Sequence, residues 1–105
     1  MVLDRSLRLV SSTEGARDWV GALPLASVFA AWGMLPGVVY PVAALARGRY
    51  AAAGAHALER ATDGRWLKIE AAALDGEDDR IAVVIRGATP AETFELLCRA
   101  YALSV

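Results

Sequence analysis

Hydrophobic and polar residues alternate most regularly between residues 56 and 86, and this alternation predicts β-strands. A first strand begins at His56 and ends before residues 62–64, where an Asp-Gly pair between two alternating runs is typical of a β-hairpin. Residues 81–85, IAVVI, are apolar at every position, which predicts a central strand that is covered on both faces. In the strand between them, the predicted core-facing residues are Leu67, Ile69, Ala71 and Ala73.

A capped helix is predicted directly after the last strand. Thr89 and Glu92 have the spacing of a capping box, and Pro90 suits the first helical position. The helix is apolar nearly all round, and Glu95 and Arg99 mark its polar side. Because such a helix needs burial beyond one sheet, we expect its other side to pack against a second copy of the chain or against a neighbour outside this chain. The predicted interface residues are Phe94, Leu96, Leu97, Ala100, Tyr101 and Leu103.

The N-terminal part of the chain predicts two short strands and a helix. Residues 2–4 and 7–11 carry a strand pattern on either side of a polar turn. Thr13 is a typical N-cap residue for the helix that follows. Large aromatic side chains are mostly buried, so we expect Trp19 on this helix to be anchored in the core.

An uncharged stretch from Trp19 to Ala46 is longer than the roughly 20 residues that span a bilayer. Three prolines and three glycines interrupt it, which favours short buried helices over a membrane span. Residues 25–34 predict a short helix or turn, and a longer helix should run from Pro36 toward Arg49. Pro41 lies inside this last pattern, so the helix should either kink there or begin later.

The composition is typical of one globular domain, and we assign residues 1–105 to it. A net charge of -1 argues against nucleic-acid binding by this chain alone, because a phosphate backbone requires a clustered basic surface. The N-terminus lacks the basic head and apolar core of a signal peptide. Cys98 is the only cysteine, so no disulfide framework is expected, and a cytoplasmic location fits.

The sequence contains no arrangement of residues that is typical of an enzyme. His56 is the only histidine, and we interpret it as a surface or strand-edge residue rather than a catalytic base or haem ligand. Cys98 lies on an apolar stripe and is interpreted as a packing residue. The acidic run at residues 75–79 is shorter than the roughly twelve residues of a calcium loop. We therefore expect no catalysis, no metal and no cofactor.

Three segments resemble the sensory region of actinobacterial LuxR-type transcriptional regulators. They are GRWLKIEAAAL at residues 64–74, IAVVIRGATPAETFELLCRAYALSV at 81–105, and VLDRSLRLVSSTEGARDWV at 2–20. Residues 23–55 match only loosely. The resemblance implies an α+β, PAS-like fold, with an antiparallel sheet, helices on one face and a C-terminal helix. It also implies that such a domain precedes a helix-turn-helix.

Two features depart from the family pattern. Ala102 stands where the family usually has glycine, and the chain stops at Val105, where the DNA-binding domain would begin. We therefore expect DNA contact only through a domain outside this chain, if the protein has one.

Three functions are considered, in descending order of preference. The first is a sensory and dimerising domain that binds a small apolar molecule between the central helices and the sheet. The second is a ligand-free dimerisation module whose terminal helix sets the spacing of two DNA readers. A small enzyme ranks last because paired acid and base groups are missing. The residues predicted to line the ligand site of the first hypothesis are Trp32, Met34, Tyr40, Val42, Leu45, Ile69 and Val83.

Overall fold

A computed structural model describes residues 1–47, 55–74 and 79–100. The N-terminal elements are β1 (Val2–Leu3), β2 (Leu9–Ser11), α1 (Glu14–Ala22), α2 (Ala26–Ala31) and α3 (Val39–Arg47). The C-terminal elements are β3 (Ala55–Arg60), β4 (Trp66–Ala73), β5 (Ile81–Gly87) and α4 (Pro90–Ala100). The predicted α+β class is confirmed, with an antiparallel sheet, helices on one face and a C-terminal helix.

The five strands form one sheet in the order β2-β1-β5-β4-β3, and each neighbouring pair is antiparallel. The predicted hairpin joins β3 to β4, and the amide of Ala61 donates to the carbonyl of Arg65 at 2.7 Å. Gly64 has a φ of 91° in this turn, a conformation that side chains with a Cβ rarely adopt. The Asp-Gly pair therefore does close the hairpin.

The inner face of the sheet carries the core and packs against α1 and α3. The three longest strands, β3, β4 and β5, contribute these buried residues: Ala55, Leu67, Ile69, Ala71, Ile81, Val83 and Ile85. The prediction that Ala73 faces the core is wrong, since this residue is exposed. Ala73 is the last residue of β4, and it borders a surface depression beside Arg5 and Arg47 instead of lying under a helix.

Two of the predicted helix starts are observed. The hydroxyl of Thr13 accepts a hydrogen bond from the amide of Ala16 at 3.1 Å, which confirms the N-cap of α1. α3 begins at Val39, so Pro41 lies in its first turn, where a missing N–H breaks no intrahelical bond. The later start is therefore the correct alternative. α3 buries Val39, Val42, Ala43 and Ala46, spaced as one side of a helix.

The N-terminal strands are shorter and more exposed than predicted. β2 is an edge strand in which Leu9, Val10 and Ser11 are all exposed, whereas a half-buried strand was expected. Leu7 has a φ of 63° and belongs to the turn that precedes β2. Trp19 is half-buried and packs against the core, consistent with its predicted role as an anchor.

The uncharged stretch is divided among α1, α2 and α3 and the turns between them. Within the described ranges, no helix combines the length and the apolar character that crossing a bilayer requires. The small residues at 51–55 predict a helix end or a loop, but residues 51–54 lie outside the described residues and Ala55 begins β3. Of the acidic turn at residues 75–79, residues 75–78 also lie outside the described residues.

Candidate functional site

The outer face of the sheet, opposite the core, is polar at its centre. The strand register aligns Leu58 of β3 with Lys68 of β4 and Arg86 of β5. The neighbouring row consists of His56, Glu70 and Val84. Val84 is 53% exposed, so the prediction that β5 is covered on both faces is wrong on this side. β5 is central in the sheet, but the described helices leave Val84 on its outer side exposed.

The first turn of α4 is held to this face by charged groups. One oxygen of Glu92, Oε2, lies 2.6 Å from Nζ of Lys68 and 3.0 Å from Nη2 of Arg86. The other oxygen, Oε1, accepts from Nη1 of Arg86 at 2.8 Å. Glu70 lies 3.2 Å from Lys68 and 3.3 Å from Arg86. These four residues, Lys68, Glu70, Arg86 and Glu92, are called the ion cluster below.

Glu92 also caps the helix to which it belongs. Its Oε1 accepts from the amide of Thr89 at 2.9 Å, and the Thr89 hydroxyl accepts from the amide of Glu92 at 3.2 Å. The predicted capping box is therefore present, with Pro90 as the first helical residue. The carboxylate of Glu92 thus caps the N-terminal end of α4 and also joins the helix to the sheet.

The contacts of the ion cluster shift the pKa values of Glu92 and Lys68. Hydrogen bonds from Arg86, then from Lys68 and the Thr89 amide, hold the pKa of Glu92 far below the ordinary glutamate value. Hydrogen bonds to Glu92 and Glu70 raise the pKa of Lys68. Lys68 therefore keeps its positive charge and Glu92 its negative charge at neutral pH, so an ion pair joins α4 to the sheet.

α4 turns opposite sides toward two surface grooves. Glu92, Leu96 and Arg99 recur at helical spacing and border a groove of about 400 Å³ beside His56 and Leu58. On the other side of the helix, a more apolar groove of about 550 Å³ is bordered by Pro90, Thr93, Phe94 and Leu97 of α4 and by Trp66. The charged side of the helix therefore contacts the sheet, while Phe94 is 61% and Leu97 41% exposed.

The remaining predicted interface residues lie on or beside these surfaces. Leu96 is half-buried in the groove next to β3, and Ala100 is exposed. Tyr101 and Leu103 lie outside the described residues. Cys98 is buried, in agreement with a packing role, although it is not part of the main core cluster. Pairing of two chains through these residues stays a prediction.

The residues predicted to line a ligand site do not come together in the structure. Val42, Ile69 and Val83 are packed in the core. Trp32 and Leu45 are exposed, at 71% and 61%. The last two, Met34 and Tyr40, border one depression of about 600 Å³ beside the β1–β2 turn. Binding of a small apolar molecule stays a prediction, and those two residues are the part of the set that shares a surface.

The ion cluster was not predicted from the sequence. Strand alternation places Lys68 and Glu70 on the same face, and this signal was available. Arg86 is the first charged residue after the apolar run of β5, which also marks it as outward-facing. The contact of both strands with Glu92, six residues further along the chain, depends on how α4 crosses the sheet and is not encoded in a local pattern.

The sequence predicts that His56 is a surface or strand-edge residue rather than a catalytic base or haem ligand. His56 is exposed on β3, an edge strand, as predicted. Among residues 1–47, 55–74 and 79–100, no group of three or more histidine, cysteine, aspartate and glutamate side chains is placed to hold a metal ion.

Comparison with known proteins adds no relative. No protein-family model matches the chain, and no curated protein or solved structure matches it. The similarity to the sensory region of LuxR-type regulators therefore stays a prediction from the sequence segments quoted above.

Proposed function

We propose that this chain is the regulatory, PAS-like sensor domain of a cytoplasmic LuxR-type transcriptional regulator, and that it forms a homodimer through α4. In this role it has no catalytic activity. It contacts DNA only through a helix-turn-helix domain attached to it. The proposal rests on the resemblance of residues 64–74 and 81–105 to that family, together with the position of α4.

The observation that carries the proposal is the orientation of α4. Phe94 and Leu97 lie on the side of the helix opposite Glu92, so packing of the helix against its own sheet does not cover them. A solvent-exposed phenylalanine beside an apolar groove is a frequent feature of protein interfaces. In a symmetric dimer both chains use the same surface, so the apolar side of α4 in one chain would pack at an interface with the same side in the other.

The test is the oligomeric state of the wild-type chain and of Phe94→Ser, measured by sedimentation velocity over a concentration series. We expect the wild type to dimerise and the variant to dissociate at least about 30-fold more readily. This corresponds to about 2 kcal/mol of apolar burial lost across the two copies. Because Phe94 is exposed within one chain, the substitution should leave the fold intact.

Leu45→Ser is the matched control, since Leu45 is also 61% exposed but lies on α3. We expect this variant to dimerise like the wild type. A wild-type chain that stays monomeric at high concentration, or a Phe94→Ser variant with an unchanged dissociation constant, contradicts the proposed interface.

The proposed sensor role includes binding of a small apolar molecule, and the depression beside the β1–β2 turn is the candidate site for it. Met34 and Tyr40 border this depression together with Leu7 and Leu9. The Tyr40 hydroxyl accepts a hydrogen bond from the Leu35 amide at 2.9 Å, which holds the aromatic ring in place. An apolar wall with a few polar groups is typical of ligand sites.

A thermal-shift screen with small apolar metabolites tests this candidate. We expect a binding compound to raise the unfolding temperature of the wild type and to lose that effect in Met34→Arg, whose side chain would fill the depression. A compound that stabilises both proteins equally binds elsewhere, and this depression is then not the sensory site.

A further inference from the structure

The ion cluster holds the first turn of α4 to the sheet, and Cys98 is the buried residue farther along the described part of the helix. In α4 the exposed residues include Phe94, Leu97 and the surface pair Glu95–Arg99, whose atoms Oε1 and Nη2 are 2.6 Å apart. Grooves border the helix on both sides. α4 is also not among the elements that pack closely on the described part of the sheet, whereas α1 and α3 are. At its first turn α4 is therefore held by charge, whereas α1 and α3 are held on the sheet by apolar packing.

The connection between β5 and α4 has a defined end. The amide of Ala88 donates to the carbonyl of Trp66 at 2.9 Å, which extends the pairing of β5 with β4 by one residue. At Thr89 the chain enters the capping box and leaves the sheet. A helix tied at its first turn and preceded by this short connection can pivot there when the tie is broken.

We infer that the ion cluster is an electrostatic latch, which holds α4 on the outer face of the sheet and whose opening lets the folded helix swing about residues 88–89. The latch belongs to a single chain, so it stands whether or not the chain is a regulator or a dimer. Glu70 contacts the same two cations as Glu92. It thereby holds Lys68 and Arg86 in position for the carboxylate of Glu92.

Glu92→Gln separates the latch from the cap. Glutamine fits the third helical position of a capping box as well as glutamate does, so the hydrogen bond to the Thr89 amide is retained. The attraction to Lys68 and Arg86 is lost with the charge. If the helix comes loose in this variant, the cause is therefore loss of the latch and not failure of the cap.

Residual dipolar couplings of backbone amides measure the orientation of α4 relative to β4 and β5. In the wild type, one alignment tensor should fit the helix and the strands together. In Glu92→Gln we expect the couplings of α4 to fall to less than half of their wild-type size, while those of β4 and β5 and the helical Cα shifts of α4 stay unchanged. Lys68→Met, which leaves the capping box untouched, should give a smaller change in the same direction.

Glu95→Gln is the matched control on the same helix, because Glu95 pairs with Arg99 of α4 and not with the sheet. We expect its couplings to match the wild type. Raising the salt concentration to about 1 M, which shortens the Debye length to about 3 Å, should loosen α4 in the wild type and leave Glu92→Gln unchanged.

Full-size α4 couplings in Glu92→Gln would overturn the inference, since the helix would then be held by something other than the ion cluster. Loss of the helical Cα shifts in this variant would overturn it as well, because Glu92 would then act through helix stability. Sedimentation of the same samples gives their oligomeric state, so failure of the dimer proposal and failure of the latch are distinguished.

Discussion

On the inner face of the sheet, α1 and α3 pack against buried aliphatic side chains, whereas on the outer face α4 meets the strands through charged groups. The described core includes no buried polar or charged side chain, so the inner contacts are held by apolar burial. The outer contact joins two carboxylates to a lysine and an arginine. The same strands therefore support one contact that is insensitive to salt and pH and one that depends on both.

This difference indicates how the molecule divides its tasks. A contact made by apolar burial is non-directional and breaks only when the core opens. A contact made by partly exposed ion pairs is individually weak and is screened by salt. The inner face is therefore suited to maintaining the fold, and the outer face is suited to a helix that changes its position or its partner.

The largest expected effect is a loss of folding stability when a buried residue of the inner face is truncated. Ile69→Ala removes a fully buried side chain from the centre of β4, and we expect a loss of about 2–5 kcal/mol in the free energy of unfolding. Val84→Ala on the outer side of β5 should cost about 0.5 kcal/mol, because Val84 is largely exposed. Urea denaturation followed by circular dichroism measures both.

These values are compared at a concentration where the chain is monomeric. If Val84→Ala is as destabilising there as Ile69→Ala, the outer side of β5 is covered within one chain, and the contrast between the two faces does not hold.

A smaller expected effect is the pH dependence of the charged contacts that Glu92 makes on the outer face. Since the pKa of Glu92 is lowered in the folded chain, its charged contacts contribute fully above the ordinary glutamate value of 4.5. Below that pH the unfolded chain takes up a proton that the folded chain resists, so this contribution declines as the pH falls further toward the folded pKa. The side-chain carboxyl shift of Glu92, followed by NMR from neutral to acid pH, measures the titration.

We expect Glu92 to remain ionised well below pH 4.5 and its midpoint to move up toward that value when Arg86 is replaced by Met. Arg86 is the appropriate change because its hydrogen bonds are the largest cause of the lowered pKa. A midpoint at the ordinary glutamate value in the wild type would mean that the ion cluster does not form in solution.

Much of the fold could be predicted because it depends on local patterns. The N-cap at Thr13 and the capping box at Thr89 each need residues three positions apart, and the hairpin at Gly64 needs one residue with a positive φ. The candidate site was harder. The seven residues predicted to line a ligand pocket share an apolar or aromatic side chain, and this character alone does not separate Ile69 in the core from Trp32 in solvent.

The sequence by itself determined which side chains share a face, because successive residues of a strand point to opposite sides and those of a helix recur every three or four positions. It therefore separated Leu67 and Ile69 from Lys68 and Glu70. The tertiary structure decided which face is covered and by what. Strand order placed Arg86 beside Lys68, and the path of α4 placed Glu92 over both, since these contacts join three separate elements and follow from packing rather than from any local pattern.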